Sequence, residues 1–172
     1  MNSSLQKLFE KLENQRQSLL ALVSGLPPEK LNAHPENKWS INQIIAHLIT
    51  AERMSVQYLR KKMLGVEQAK DSGIWEELKM VLLVLSQRLP IKYKAPKKVV
   101  ELTVSKADLS QLIEEWNEVR SEMRNILEQI DHKHIKRKIF KHIRAGMLNI
   151  QHALKFSREH IIHHTPQIKR LL

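Results

Sequence analysis

The sequence predicts an all-α fold, a four-helix bundle with a short extra helix and one long crossover. Three observations predict it. Apolar residues recur at helical spacing through four long stretches of the 172-residue chain. Leu, Glu, Lys, Gln and Arg, all good helix formers, are abundant. Only 4 glycines and 6 prolines occur, and several of them fall at the ends of the periodic stretches. A chain of this length is expected to form one domain, residues 1–172, with a core that needs no covalent staples.

The first helix is expected from about Ser4 to Ser24, on the stripe Leu5, Leu8, Phe9, Leu12, Leu19, Leu20 and Val23. Ser3 with Gln6 resembles a capping box, and Gly25-Leu26-Pro27-Pro28 ends the helix. Residues 27–38 read as a loop with one turn around Glu29–Leu31. The second helix opens at Ser40, with Gln43 completing a capping box. Ile41, Ile44, Ile45, Leu48, Leu59 and Met63 form its stripe, and Gly65 stops it. A short helix from Ile74 to Leu89 is apolar almost all round at Met80–Leu85, which predicts burial, and Pro90 ends it.

Val100, Leu102 and Val104 alternate with Glu101 and Thr103, an extended strap within 90–104. A lone strand has no ladder partner, so the strap is predicted to be the crossover rather than part of a sheet. Ser105 with Asp108 opens the next helix, whose stripe runs from Leu109 through Trp116 and Met123 to Ile130. The last helix is expected from about Gly146 to the C-terminus, with Ile150, Ala153, Leu154, Ser157, Ile161, Ile168 and Leu171 facing inward.

Composition excludes several function classes. There are no cysteines, so disulfide scaffolds, zinc fingers, iron–sulfur clusters and a cysteine nucleophile are ruled out. No glycine-rich phosphate loop is present. No run of 18 apolar residues occurs, so no membrane helix is expected. The N-terminus alternates charge with leucine and lacks an apolar signal core, so the protein is expected to be cytoplasmic.

The net charge is +11, and two stretches, 86–98 and 131–144, carry +10 of it. The first holds Arg88, Lys92, Lys94, Lys97 and Lys98; the second holds Lys133, Lys136, Arg137, Lys138, Lys141 and Arg144 against Asp131. Such segments either engage an anionic partner or form solvated connections that keep the protein soluble. Nucleic acid is disfavoured, because a helix of about 25 residues, roughly 37 Å long, separates the two clusters. Aromatic residues are also only 5% of the chain, which leaves few stacking platforms.

The nine histidines carry the chemistry. At about 100° per residue, His164 falls inside the apolar stripe of the last helix and His160 at its edge, whereas His163 and His152 point to the opposite face. His163 is expected to face solvent. His160 and His164, one turn apart, can bring their nitrogens to one metal ion, although such pairs also occur on surfaces or hydrogen-bonded in cores. His47 lies on the rim of the second helix's stripe, with Ala51, Met54 and Tyr58 on its flank. A third inward histidine would complete a three-nitrogen site suited to zinc or nickel, with a coordination position open for water or substrate. Spacing alone does not bring His47 to the other two.

Glu52, five residues after His47, is either a base and orienting group for the site or a surface carboxylate paired with its neighbours. Trp39 either lines a pocket or packs under the preceding loop. Gln167, one turn beyond His164, is either a hydrogen-bond partner of a ligand or an exposed terminal residue.

Three segments together resemble a known family. The run Lys38-Trp39-Ser40-Ile41-Asn42-Gln43-Ile44-Ile45-Ala46-His47-Leu48 resembles the first motif of the DinB/YfiT-like family. The run His142-Ile143-Arg144-Ala145-Gly146-Met147-Leu148 is similar to the family's turn before the last helix. The run His160-Ile161-Ile162-His163-His164-Thr165-Pro166-Gln167-Ile168 resembles its terminal signature. The resemblance covers residues of roughly 5–171, in order.

That resemblance implies a four-helix bundle of up-down-down-up order, often a homodimer, with a divalent metal held by His47, His160 and His164. It implies a metal-dependent thiol S-transferase, using a low-molecular-weight thiol, or a hydrolase acting on a small molecule. The alternatives are a basic helical module that binds nucleic acid and a metal-free dimeric scaffold. One departure is Pro166, which sits where the helix continues in the family and is expected either to kink it just after His164 or to end it early.

Overall fold

The computed structural model describes residues 1–33, 35, 38–89 and 108–172. Among them are six α-helices and one small hairpin. The first helix, α1 (Ser3–Val23), is capped one residue earlier than expected, by Asn2, whose side chain accepts from the Ser4 amide. Gly25, at φ +77°, turns the chain after it into α2 (Pro28–Asn32). The expected capping box of α3 (Ile41–Met63) is present: Ser40 Oγ accepts from Gln43 N, and Gln43 Oε1 accepts from Ser40 N. Next come a 3-10 turn at Val66–Gln68, α4 (Ile74–Arg88), α5 (Leu109–Gln129) and a 3-10 turn at His132–His134. The strands β1 (Phe140–His142) and β2 (Gly146–Leu148) then lead to α6 (Ile150–Lys169).

The order of contacts fixes the helix directions. Along α1, Phe9, Glu13 and Arg16 meet Arg124, Arg120 and Asn117 in turn, so α1 and α5 are antiparallel. Along α3, His47 meets His160 while Tyr58 Oη lies 3.5 Å from Met147 Sδ, just before α6, so α3 and α6 are antiparallel. Ser4 and Gln151 join the starts of α1 and α6, which pack side by side in the same direction. The bundle formed by α1, α3, α5 and α6 is therefore up-down-down-up, around Phe9, Leu12, Ile45, Leu48, Trp116 and Ile161.

Two successive descending helices need a return path, and α4 supplies it. Glu77 meets His152 and Lys155, and Arg88 meets Glu159, so α4 climbs alongside α6. The strap within 90–104, Ser105, Pro90 and most of the basic stretch 86–98 lie outside the described residues.

Three expectations are corrected. First, α4 is not buried: only Met80 and Leu83 are, while Trp75, Leu78, Leu82 and Leu85 face outward. Among the described residues its main helix contact is α6, so one stripe is covered. Second, the last helix does not begin near Gly146. Residues 146–148 pair antiparallel with 140–142, and Asn149 caps α6 by accepting from His152 N. Three-residue strands carry no periodicity, and the turn is set by Gly146 at φ +73°. Third, of the kink or early end expected at Pro166, the early end does not occur: α6 runs on to Lys169. A proline this close to a helix end removes only one ladder bond.

Candidate metal centre

The capping box at Ser40 starts α3 so that His47 lies two turns in, on the face toward α6. His160 and His164 occupy successive turns of α6. The three residues, on two helices that are far apart in sequence, converge. His47 Nε2 lies 3.3 Å from His160 Nε2, and His164 Nε2 lies 3.2 Å from the same atom. Each residue offers one ligand nitrogen, and these nitrogens all lie within 4.8 Å of one another. His47 is 4% exposed and His164 8%.

The donor set fits a metal ion. Nitrogens about 2.0–2.1 Å from a tetrahedral ion lie roughly 3.3–3.4 Å apart, close to the two separations observed. Without a cation the cluster is poorly satisfied, since one N–H on His160 could serve both neighbours only as a bifurcated bond. His164 Nδ1–H donates to Gln167 Oε1 at 3.0 Å, which leaves the Nε2 lone pair turned to its neighbours. Gln167 is thus a partner of a histidine in the cluster, not an idle terminal residue.

Burial keeps the rings neutral. It lowers His47 from 6.5 to about 4, with His163 repelling its charged form. Burial, with repulsion from His47, lowers His164 to about 3. His160 is held well below its ordinary value by burial and then by His164 and His47. Neutral imidazole is the ligating form, so the trio is ready to bind a cation at neutral pH.

Aromatic and polar groups surround the cluster. The Trp39 ring lies 4.9 Å from that of His47, so Trp39 touches the site. Phe156 stacks on His160 at 5.4 Å and 16° between planes. His142, on β1, packs against Phe156 at 4.5 Å. Its Nδ1 accepts from the Arg144 and Ala145 amides at 3.3 and 3.2 Å, which leaves the ring proton on Nε2. Burial, then repulsion by Arg144, lowers His142 to about 4. Sequence reasoning gave neither Phe156 nor His142 a role at the site. Phe156 shows no sequence signal, and His142 was visible only as part of the resemblance to the pre-helix turn.

Other candidates lie elsewhere. Glu52 is neither a group of the histidine centre nor a surface carboxylate. It is 2% exposed and accepts from Trp116 Nε1 at 3.0 Å and Arg120 Nη2 at 2.7 Å. Five residues turn α3 through about 140°, which aims Glu52 at α5 and away from His47. The expectation that His163 faces solvent is corrected: it is half-buried, and Nδ1–H donates to Gln87 O at 2.6 Å. His152, on the same side, is fully buried, with Nε2–H donating to Glu77 at 2.9 Å. Docking of α4 covers that face of α6, which helical periodicity alone does not reveal.

In the basic stretch 131–144, Lys133 pairs with Glu67 at 3.4 Å, Arg137 with Asp71 at 3.5 Å and Lys138 with Glu76 at 3.6 Å. Backbone bonds from Ser72 N to Lys136 O and from Lys138 N to Lys70 O bind the two loops together. Three of these cations thus hold the base of the bundle.

A sequence model of the DinB superfamily matches residues 11–168, a span that includes all three converging histidines. The chain belongs to the DinB superfamily. No curated protein matches it. Among the described residues of this superfamily member, no helix is long and apolar enough to cross a membrane.

Proposed function

We propose that this DinB-superfamily protein is a divalent-metal-dependent enzyme acting on a small molecule, with zinc or nickel held by His47, His160 and His164. The observation that carries the proposal is the convergence of three neutral imidazoles from α3 and α6 on one point. Three neutral nitrogen ligands suit those ions and leave room for a further ligand. When bound, such an ion supplies Lewis acidity that makes a thiol or water reactive near neutral pH.

The chain's own residues supply the rest. Gln167 fixes the ring orientation of His164. Trp39 and Phe156 form apolar walls beside the ligands. His142, its proton held on Nε2, offers a donor to an anionic part of the substrate. Thiol S-transfer is the favoured reaction, with hydrolysis as the variant in which water replaces the thiol. With no cysteine in the chain, the thiol would be an external low-molecular-weight compound. The proposal includes one domain over 1–172 and a cytoplasmic location.

The test is metal content by mass spectrometry on untagged protein, wild type beside His164→Ala. The expected result is a near-stoichiometric zinc or nickel signal that His164→Ala loses. Wild-type protein that stays metal-free after supplementation, or a variant that retains the full signal, overturns the proposal. Nucleic-acid binding is the weaker reading, because Lys133, Arg137 and Lys138 are already paired with carboxylates. A metal-free scaffold would keep its fold and assembly with all three histidines replaced.

A further inference from the structure

The last turn of α4 grips the part of α6 that carries His160 and His164. Glu159 and His163 each sit one residue before one of those histidines, about 100° round the helix. Both meet the end of α4. Glu159 is 5% exposed and accepts twice from Arg88, Nε to Oε2 at 2.9 Å and Nη2 to Oε1 at 3.0 Å. A two-pronged bond of this kind fixes direction as well as distance. Arg158 Nη1 donates to the same carboxylate at 3.1 Å. His163 Nδ1–H donates to Gln87 O at 2.6 Å. That carbonyl is among the last four of α4, which the helix ladder leaves without a partner. His163 thus caps α4 while its ring stands against the ring of His164, with 5.0 Å between centroids and 89° between planes. The other end of α4 is held separately, by Glu77 on His152 and Lys155.

We propose that His163 and Glu159 are positioning residues of the metal centre. They tie the ligand-bearing turns of α6 to the last turn of α4, so that metal binding and docking of that turn strengthen each other. The inference rests on the reading of His47, His160 and His164 as metal ligands. A histidine ligand binds an ion well when its ring is already held in the ligating orientation. Gln167 holds Nδ1 of His164 by a hydrogen bond, and His163 limits the swing of the same ring by contact. His163 is itself fixed by Gln87 O, and the turn before it by the fork of Arg88 on Glu159. The end of α4 therefore reaches the centre through one ring in between. Linkage requires the converse: whatever factor this docking adds to metal affinity, the metal adds to the docking.

The experiment measures metal affinity of the full chain by competition with a chelating dye, for zinc and nickel in turn. His163→Phe keeps a ring but has no N–H to donate, and should weaken binding by about 10-fold. His163→Asn restores a donor near the position of Nδ1 and should recover most of that loss. Glu159→Gln removes the charge that Arg88 and Arg158 hold, and should also weaken binding. Glu77→Gln loosens the far end of α4, and should lower the unfolding midpoint while leaving metal affinity at the wild-type value. Hydrogen exchange supplies the converse readout. Saturating metal should slow exchange of the Leu89 amide, which bonds to Leu85 O at 3.2 Å, in wild type but not in His163→Phe. Wild-type affinity in His163→Phe, equal losses in His163→Phe and Glu77→Gln, or Leu89 exchange indifferent to metal overturns this inference and leaves the metal centre standing. A wild type that binds neither ion overturns both.

Discussion

Removing the carboxylate of Glu52 should unfold the bundle more readily without disturbing metal binding. Glu52 and Arg120 are 2% and 4% exposed and lie 2.7 Å apart, and Trp116, fully buried, donates to the same carboxylate. In Glu52→Ala, Glu13, at 3.2 Å, is the carboxylate that Arg120 keeps among the described residues, and the Trp116 N–H loses its acceptor. Breaking a buried pair costs about 3–5 kcal/mol, because the remaining charge stays out of water. For a domain of this size that corresponds to a fall of about 6–20 °C in Tm. Glu52→Gln keeps an oxygen for Trp116 and should lose less, about 2 kcal/mol. The double variant Glu52→Met with Arg120→Met should recover most of the loss, since apolar replacements of a buried pair are often neutral. Urea and thermal unfolding of metal-free protein measure all four forms, and competition with a chelating dye measures their zinc affinity. A Glu52→Gln protein of wild-type stability but with weakened zinc binding would refute the placement of Glu52 in the core and return it to the histidine centre.

Four further outcomes are expected. Gln167→Ala should weaken zinc or nickel binding by about 10–100-fold in the same competition assay, with little change in the unfolding midpoint of the metal-free protein. His142, lowered from 6.5 to about 4 in the folded state, is neutral there but takes up a proton on unfolding. Its contribution is therefore intact above about pH 6.5 and lost as pH falls toward 4, by about 2 kcal/mol at about pH 5, and His142→Gln should flatten that part of the stability–pH curve. Gly146→Ala, at φ +73°, should cost about 1–2 kcal/mol in urea unfolding through strain at the hairpin. Asn149→Ala removes the cap of α6 and the bond to Ser72, and should lower stability by about 1–2 kcal/mol by the same measurement.

The helices of this protein are set by short-range rules, which is why their identity was legible. The Ser40–Gln43 box, the stripe from Leu109 to Ile130 and the one-turn spacing of His160 and His164 are all relations within a few residues. Periodicity therefore placed four helices near their observed ends and turned two histidines inward. The same rules fail where burial depends on a neighbour that is distant in sequence. His152 and Glu52 are polar residues on the edge or far side of their helices' stripes, and each is buried only because another helix, α4 or α5, lies across it. The converse holds for α4, whose apolar surface predicts burial but which, among the described residues, packs mainly on α6 and leaves Trp75, Leu78, Leu82 and Leu85 exposed. The hairpin was missed because strands of three residues are too short to show alternation.

What the sequence by itself determined is the material of the site: an inward histidine pair on one helix, a rim histidine on another, and no cysteine to compete with them. What the tertiary structure decided is that the three imidazoles meet. His47 and His160 are separated by 113 residues, and no local interaction relates them. Their approach follows from the antiparallel packing of α3 and α6, which depends on the whole core closing at once. A helix can orient its own side chains, but only packing can bring two helices' side chains to the same point.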